Sequence, residues 1–94
     1  MPIISFKHRA LRGLFENGRS SRIGANYQSK LIELMDIVDA ATEKKDLHGV
    51  SDFHPLKGNR AGTYSMHVSG NWRLTFKFKS GDSSDLNFED YHKR

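Results

Sequence analysis

The sequence of 94 residues contains no cysteine and only two prolines. The absence of cysteine excludes a disulfide framework and any thiolate metal site, and it agrees with a reducing compartment. No stretch approaches the roughly 18 consecutive apolar residues that a membrane-spanning helix requires. The N-terminal segment has a charged residue already at Lys7, so it is too short in apolar residues to be the core of a signal peptide. We therefore expect a single soluble, cytoplasmic domain over residues 1–94, with no membrane partner.

Acidic side chains are absent from a long central window of the sequence. None of the 11 Asp and Glu residues lies between positions 53 and 80, although the whole chain has a formal charge of only +4. The window contains two histidines, several aromatic residues and these cations: Lys57, Arg60, Arg73, Lys77 and Lys79. Positive charge interleaved with aromatic rings suits a polyanion whose bases or sugars also need shaped contacts. Nucleic acid is therefore the predicted partner.

Apolar residues in the first half of the chain recur at helical spacing. Leu11, Leu14 and Phe15 indicate a first helix, and Gly18 lies where a helix C-terminal glycine is expected. A short apolar run at residues 3–6 before that helix can form a strand. A second, longer helix is indicated by one apolar face, which consists of Tyr27, Leu31, Leu34, Met35, Val38 and Ala41.

In the second half, the hydrophobic period changes from helical to two, which is typical of strands. The runs 64–69 and 72–79 alternate in this way, and a turn at 80–82 leads into a third run. The order predicts an α+β fold of two layers. In it, an N-terminal strand and two or three helices pack on one face of an antiparallel β-meander.

The alternation also predicts which side chains point away from the helices. If Trp72 and Phe76 face the helical layer, Arg73 and Lys77 must project from the opposite face of the sheet. Tyr91 has the same outward parity on the last strand. The usual role of a single strand arginine is a cross-strand ion pair, for which Glu89 is a suitable partner.

Residues 54–62 (HPLKGNRAG) form a second group of polar and charged side chains. They place His54, Lys57 and Arg60 within seven residues, and the flanking glycines permit a tight bend that could approach a phosphate. Pro55 restricts the start of the segment to an edge strand or a loop. A basic loop of this kind is more often a solvated turn than an active site.

These segments together resemble a known family. The motifs HPLKGNRAG at 54–62, SGNWRLTF at 69–76 and FEDYH at 88–92, with SFKH and LFExG near the N-terminus, are similar to those of the HigB toxins of the RelE/ParE superfamily. The resemblance covers nearly the whole chain. It implies a RelE-like fold and a ribosome-dependent endoribonuclease that cuts mRNA in the ribosomal A site and inhibits translation. It also implies a HigA-type helix-turn-helix antitoxin, with operator DNA contacted only through the toxin–antitoxin complex.

The resemblance further implies which residues form the active site. The family's catalytic positions match His54, Lys57, Arg73 and Tyr91, with His92 beside them. For RNA contacts we expect the residues Arg60, Asn71, Lys77 and Lys79. These groups suit a cofactor-free reaction in which the RNA 2′-hydroxyl attacks the adjacent phosphate, because side chains can supply a base, an acid and charge stabilisation. The assignment of base and acid stays open.

Two other functions compete with this interpretation. A ParE-like toxin of the same superfamily would inhibit DNA gyrase without catalysis, but such an inhibitor does not need His54, Lys57 and Tyr91 together. A non-catalytic RNA-binding module would be expected to carry an RNP-type aromatic pair or a GXXG clamp, which the sequence lacks. No metal site is predicted, because His54, His67 and His92 do not have the short spacing of a zinc motif.

Overall fold

A computed structural model describes residues 3–90 of the chain. Two helices come first: α1 is Arg9–Asn17 and α2 is Ala25–Ala40. Four strands follow, and their bounds are β1 His54–Pro55, β2 Thr63–Ser69, β3 Trp72–Lys79 and β4 Asp82–Asp90. Short 3₁₀ turns at Lys44–Leu47 and Gly58–Arg60 complete the elements. None of the described helices is both long and apolar enough to cross a membrane.

Both helices form where the apolar period predicts them. In α1, Leu11 and Leu14 are fully buried, and the helix ends at Gly18, whose φ of 80° permits its N–H to bond the Leu14 carbonyl at 2.8 Å. In α2, the expected apolar face is buried at Leu31, Leu34, Met35 and Val38. The helical layer therefore presents one continuous apolar surface to the sheet.

The strands form one antiparallel sheet in the order β1-β2-β3-β4, which confirms the predicted meander. The β3–β4 turn has positive φ at both Ser80 and Gly81, the geometry that matches the right-handed twist of a two-stranded hairpin. Met66, Leu74, Phe76 and Leu86 are fully buried against the helices. Arg73 and Lys77 alternate with these residues and lie on the opposite face, as the sequence predicts.

The N-terminal segment lies beside β4 but does not form a continuous strand. Two isolated parallel bridges, Ile3 to Ser83 and Phe6 to Leu86, connect it to the sheet. Between them, Asp85 has a φ of 55°, and its N–H is bonded to the Ser5 hydroxyl at 2.9 Å and not to a backbone carbonyl. The two bridges are three residues apart on both sides, so the register is kept. The interruption coincides with the bulge of β4, which has one extra residue relative to β3 between the pairs Thr75–Asn87 and Lys77–Ser84.

Substitutions on β3 are expected to lower the free energy of unfolding by amounts that depend on how deeply the side chain is buried. Leu74→Ala should lower the free energy of unfolding by about 2–5 kcal/mol, because Leu74 is fully buried and its loss leaves a cavity. Trp72 is only half-buried in a stack with Phe88 (ring centroids 4.6 Å apart), so Trp72→Ala should cost about 3 kcal/mol, the low end for an aromatic residue. Urea unfolding measures both values. The exposed Ser29→Ala serves as the control and should stay within about 0.5 kcal/mol of the parent protein.

His8, which precedes α1, gives the fold an expected dependence on pH. Its Nδ1 atom is buried and has no hydrogen-bond partner among residues 3–90. Burial lowers the pKa of His8, a contact with its own backbone opposes this, and the nearby Arg22 adds to the lowering. The unfolded chain therefore binds a proton at a higher pH than the folded chain, so stability present above about pH 6.5 should be lost as the pH falls. The urea midpoint of His8→Gln should decline less between about pH 7.5 and pH 5.5 than that of the parent, and an equal decline would contradict this role.

Candidate active site

The strand register brings polar residues together on the sheet face opposite the helices. Directly paired residues of antiparallel strands project to the same face with neighbouring side chains. One row across this face contains His54, Ser65, Thr75 and Asn87, and the next contains His67, Arg73 and Glu89. We call this the polar face. His54 and Arg73, predicted from different segments of the chain, therefore lie in adjacent rows.

His54 is held by Asp52, two residues earlier in the chain. Its Nδ1 lies 2.8 Å from the backbone carbonyl oxygen of Asp52 and 3.8 Å from the Oδ2 atom of the same residue. About a third of the His54 side chain is exposed (36%), so part of the imidazole faces solvent. The edge position of Pro55, which the sequence left open, is confirmed, because β1 is the outermost strand.

Arg73 contacts the same carboxylate. Its Nη1 donates to Asp52 Oδ2 at 3.1 Å and to the Ser65 hydroxyl at 3.4 Å. Only 15% of the Arg73 side chain is exposed, against 63% for Asp52. Asp52 thus contacts both side chains: its backbone carbonyl lies against the imidazole of His54, and its carboxylate accepts from the guanidinium of Arg73.

Asp52 reaches this position through an unusual backbone conformation. Ser51 and Asp52 have φ values of 46° and 58°, and neither is a glycine. A residue in this left-handed region costs of order 1 kcal/mol or more, so the surroundings must hold it there. Two hydrogen bonds do so: the His67 N–H donates to the Ser51 carbonyl at 2.7 Å, and the Ser51 hydroxyl donates to the His67 carbonyl at 2.8 Å. We call residues 51–52 the elbow.

The loop from Lys57 to Gly62 folds over part of the polar face. Gly58 and Gly62 both have positive φ, which confirms the tight bend, and Lys57 is exposed at its start. Arg60 forms a two-pronged ion pair with the Glu89 carboxylate, with N–O distances of 2.9 and 2.8 Å. Its hydrogen bonds hold the pKa of Glu89 below the usual range, although burial acts in the opposite direction.

Glu89 therefore has a different role from the one suggested by the strand pattern. It lies opposite Arg73 in the register, but its oxygens are bound by Arg60 and by the Thr75 hydroxyl. Thr75 and Ser65 are buried despite lying on the polar face. The Ser65 hydroxyl contacts Arg73, and the Thr75 hydroxyl contacts the carboxylate of Glu89. The face is partly covered as a result. The predicted RNA contact at Arg60 is untested, and its charge is balanced by Glu89.

The remaining predicted RNA contacts lie at two ends of the sheet. Asn71 is exposed in the β2–β3 turn, two residues from Arg73. Lys77 and Lys79 are four and six residues beyond Arg73 on β3, which places them about 13 and 20 Å away along the strand. Lys77 also lies 3.8 Å from Asp85 in an exposed ion pair. Lys77 lies in the row next to that of His54, on the side away from Arg73, and Lys79 lies one row further. Both lysines therefore suit contacts further along a polymer.

Two predicted catalytic residues, Tyr91 and His92, lie outside the described residues 3–90. Within that range, no three histidine or carboxylate side chains come together as metal ligands. The described part of the site consists of the His54 imidazole, the Arg73 guanidinium and the Asp52 carboxylate, with the Lys57 ammonium in the adjoining loop. This set can exchange a proton and bind an anionic oxygen.

Asp52 is the functional candidate that sequence reasoning missed. The acid-free window begins at residue 53, so the carboxylate stands one position outside it. The only signal in the sequence was that Asp52 stands two residues before His54. That spacing does not indicate a contact unless the backbone conformation of the elbow is known. The neighbourhood of His54 is consequently not purely cationic.

Comparison with known proteins connects this geometry to a family. A family model described as the RelE-like toxin of the type II toxin-antitoxin system HigB matches residues 4–92. The chain is 44% identical over 91 residues to "Endoribonuclease HigB" of Proteus vulgaris, covering 96% of this chain and 99% of the relative. It is 29% identical over 93 residues to "Toxin HigB-1" of Vibrio cholerae, covering 96% and 97%.

Solved structures share the fold at low sequence identity. A YoeB-YefM complex from Staphylococcus aureus contains a chain that superposes with a TM-score of 0.61 at 20% identity, covering 93% of this chain and 94% of that one. A YoeB/ParE toxin from Agrobacterium tumefaciens gives a TM-score of 0.61 at 18% identity, covering 95% and 99%. The predicted RelE-like architecture is confirmed, and the match of the family model over residues 4–92 shows that the chain belongs to the HigB-like family of RelE-like toxins of type II toxin–antitoxin systems.

Proposed function

We propose that this protein is an endoribonuclease toxin that cleaves mRNA in the ribosomal A site and so inhibits translation and growth. The 44% identity to a protein named Endoribonuclease HigB over nearly the whole chain supports the nuclease activity. The observation that carries the proposal is the convergence of His54 and Arg73 on one residue, Asp52, on the face of the sheet that the helices leave uncovered. A toxin that acts by binding alone has no requirement for this arrangement.

In the proposed reaction, the 2′-hydroxyl of the RNA attacks the adjacent phosphorus in line, and the 5′-oxygen of the next nucleotide leaves. Arg73 binds phosphate oxygens and stabilises the negative charge of the phosphorane, and Lys57 adds a second positive charge. The 2′-hydroxyl proton is accepted by His54 while Lys57 stays charged, or by a neutral Lys57 in place of that charge; Tyr91 or His92 donates a proton to the leaving oxygen. The reaction needs no metal in this proposal, because these side chains supply each of the required roles.

The partners follow from the same proposal. The family description implies an antitoxin, for which we propose a HigA-type helix-turn-helix protein that contacts operator DNA while bound to the toxin. The 70S ribosome and its mRNA are the proposed targets. Arg60, Asn71, Lys77 and Lys79 are the proposed RNA contacts, with the two lysines placed along β3 where a backbone several nucleotides long can reach them.

Primer extension on a message translated in cells after toxin induction tests this function. Cuts should appear inside the reading frame and keep a constant position relative to codon boundaries, because the A site sets the geometry of the scissile phosphate. The matched control is the same message without its start codon, which should stay intact. Equal cutting of both messages would contradict ribosome dependence. Growth arrest with no cuts in either, accompanied by gyrase inhibition, would favour the ParE-like alternative.

A further inference from the structure

We propose that Asp52 is a positioning residue with two separate functions. Its backbone carbonyl fixes the tautomer of His54, and its carboxylate orients the guanidinium of Arg73. The catalytic consequence rests on the proposed nuclease function, whereas the tautomer is a property of the free protein and can be measured without substrate.

The tautomer follows from hydrogen-bond chemistry. A carbonyl oxygen can only accept, so the 2.8 Å contact between His54 Nδ1 and the Asp52 carbonyl requires a proton on Nδ1. In the neutral imidazole, the lone pair is then on Nε2. Since Nδ1 is occupied by the elbow, Nε2 is the nitrogen that can accept a proton from the RNA 2′-hydroxyl or return one. The structure therefore assigns the reactive atom of His54.

The orientation of Arg73 follows from its position between two acceptors. Its Nη1 is bound by Asp52 Oδ2 at 3.1 Å and by Ser65 Oγ at 3.4 Å, so the plane of the guanidinium is restrained in the absence of RNA. A planar guanidinium binds phosphate oxygens in pairs only when it is correctly oriented. Asp52 thus positions two side chains that approach the same phosphate from neighbouring rows of the polar face.

The elbow explains why one residue can serve both side chains. The two consecutive left-handed residues turn the Asp52 carbonyl towards His54 while its carboxylate reaches Arg73. Ser51 is bonded twice to His67 of β2, which fixes the elbow to the sheet. Asn and Gly both tolerate the left-handed region, whereas β-branched residues do not. Different substitutions at one position can therefore separate the two functions.

Three variants test the two functions. Asp52→Asn keeps the elbow and removes the negative charge, and Asp52→Gly keeps the elbow and removes the side chain. Both should preserve the His54 tautomer and lower the single-turnover cleavage rate about 10- to 100-fold, with ribosome affinity unchanged, because orientation and not binding is lost. Asp52→Val opposes the left-handed conformation and should disturb the tautomer as well. The rate order should be parent, Asn, Gly, Val.

Asp85→Asn provides the matched control. Asp85 is also exposed, also has a positive φ of 55° and also loses one negative charge on substitution, but it lies on β4 beside Lys77 and away from His54. Its single-turnover rate on saturated complexes should match that of the parent. Thermal unfolding midpoints of Asp52→Asn and Asp85→Asn should agree with the parent, which separates positioning from a loss of folding.

The measurement of the tautomer uses long-range ¹H–¹⁵N NMR spectra of the full-length free protein. A pyrrole-like Nδ1 signal and a pyridine-like Nε2 signal for neutral His54 are expected in the parent, Asp52→Asn and Asp52→Gly proteins. A proton on Nε2 would overturn the assignment of the reactive atom. Parent-like cleavage by Asp52→Asn and Asp52→Gly would overturn the role of the carboxylate, and faster cleavage would show that it competes with phosphate for Arg73. If the parent protein failed to cut translated mRNA, the proposed function would fail while the NMR result still decided the tautomer.

Discussion

Replacing Arg73 by alanine is expected to lower the single-turnover rate of mRNA cleavage about a hundredfold and to abolish growth arrest. A contact of this kind strengthens as charge develops on the phosphorane, so its loss raises the barrier by on the order of 3 kcal/mol. The fold should survive, because Arg73 lies on the polar face and its neighbour Leu74 fills the core. Rate measurements on programmed ribosomes and thermal unfolding of the purified variant give the two values.

Two further variants make this test specific. Arg73→Lys keeps the positive charge but lacks the planar fork that binds two oxygens, so its rate should lie between those of the parent and the alanine variant. Arg19→Ala removes the same side chain type from the exposed connector between the helices and should be fully active. Undiminished toxicity of Arg73→Ala would contradict the nuclease assignment and would favour a toxin that acts by binding.

The architecture could be predicted from the sequence because its elements have strong periodic patterns. The apolar face of α2 repeats over four turns, and the alternation along β3 is uninterrupted from Trp72 to Lys79. Such patterns are local, so they specify a helix or a strand and its buried side without knowledge of the rest of the chain. The prediction that Arg73 and Lys77 lie away from the helices depended on this parity alone and is confirmed.

The charge of the site could be predicted only in part, because cations pair with carboxylates that are near them in the fold and distant from them in the sequence. Residues 53–80 lack carboxylates, yet the folded face receives Asp52 from just before the window and Glu89 and Asp85 from β4. Two of the predicted RNA-binding cations, Arg60 and Lys77, are consequently paired with carboxylates. Sheet register brings these partners together, and it depends on a bulge in β4 that has no simple sequence signature.

The positions of the catalytic candidates depend on backbone conformations that cannot be predicted from the spacing of apolar residues. The left-handed elbow at Ser51 and Asp52 contains no glycine, the residue that most strongly signals this conformation, so the sequence did not single the elbow out. Ser65 and Thr75 are buried although a strict alternation would have left them exposed, and their hydroxyls contact Arg73 and Glu89. Tertiary hydrogen bonds between Ser51 and His67 maintain the elbow, and periodicity does not report them.

Cleavage is expected to leave a 2′,3′-cyclic phosphate, or the 3′-phosphate formed from it, on the upstream fragment and a 5′-hydroxyl on the downstream fragment. These ends follow from attack by the neighbouring 2′-hydroxyl, since that oxygen keeps its bond to phosphorus when the 5′-oxygen leaves. A single 2′-deoxynucleotide at the scissile position should therefore reduce cutting at that bond by at least about a hundredfold, because the nucleophile itself is missing. Enzymatic end-labelling and mass spectrometry of the fragments identify the ends.

The same reaction should depend on the ribosome and not on a catalytic metal ion. His54, Lys57 and Arg73 supply proton transfer and charge stabilisation, so adding EDTA, at levels that leave programmed ribosomes intact, should not change the single-turnover rate. Free mRNA should be cut at least about a hundredfold more slowly than mRNA in the A site, because an unconstrained backbone rarely adopts the in-line geometry. For the 2′-deoxynucleotide experiment, a message with the substitution one codon downstream serves as the control and should be cut normally. Products with 5′-phosphate ends, or equal cutting of free and ribosome-bound mRNA, would contradict the mechanism, because each requires a nucleophile or a geometry that this site does not provide.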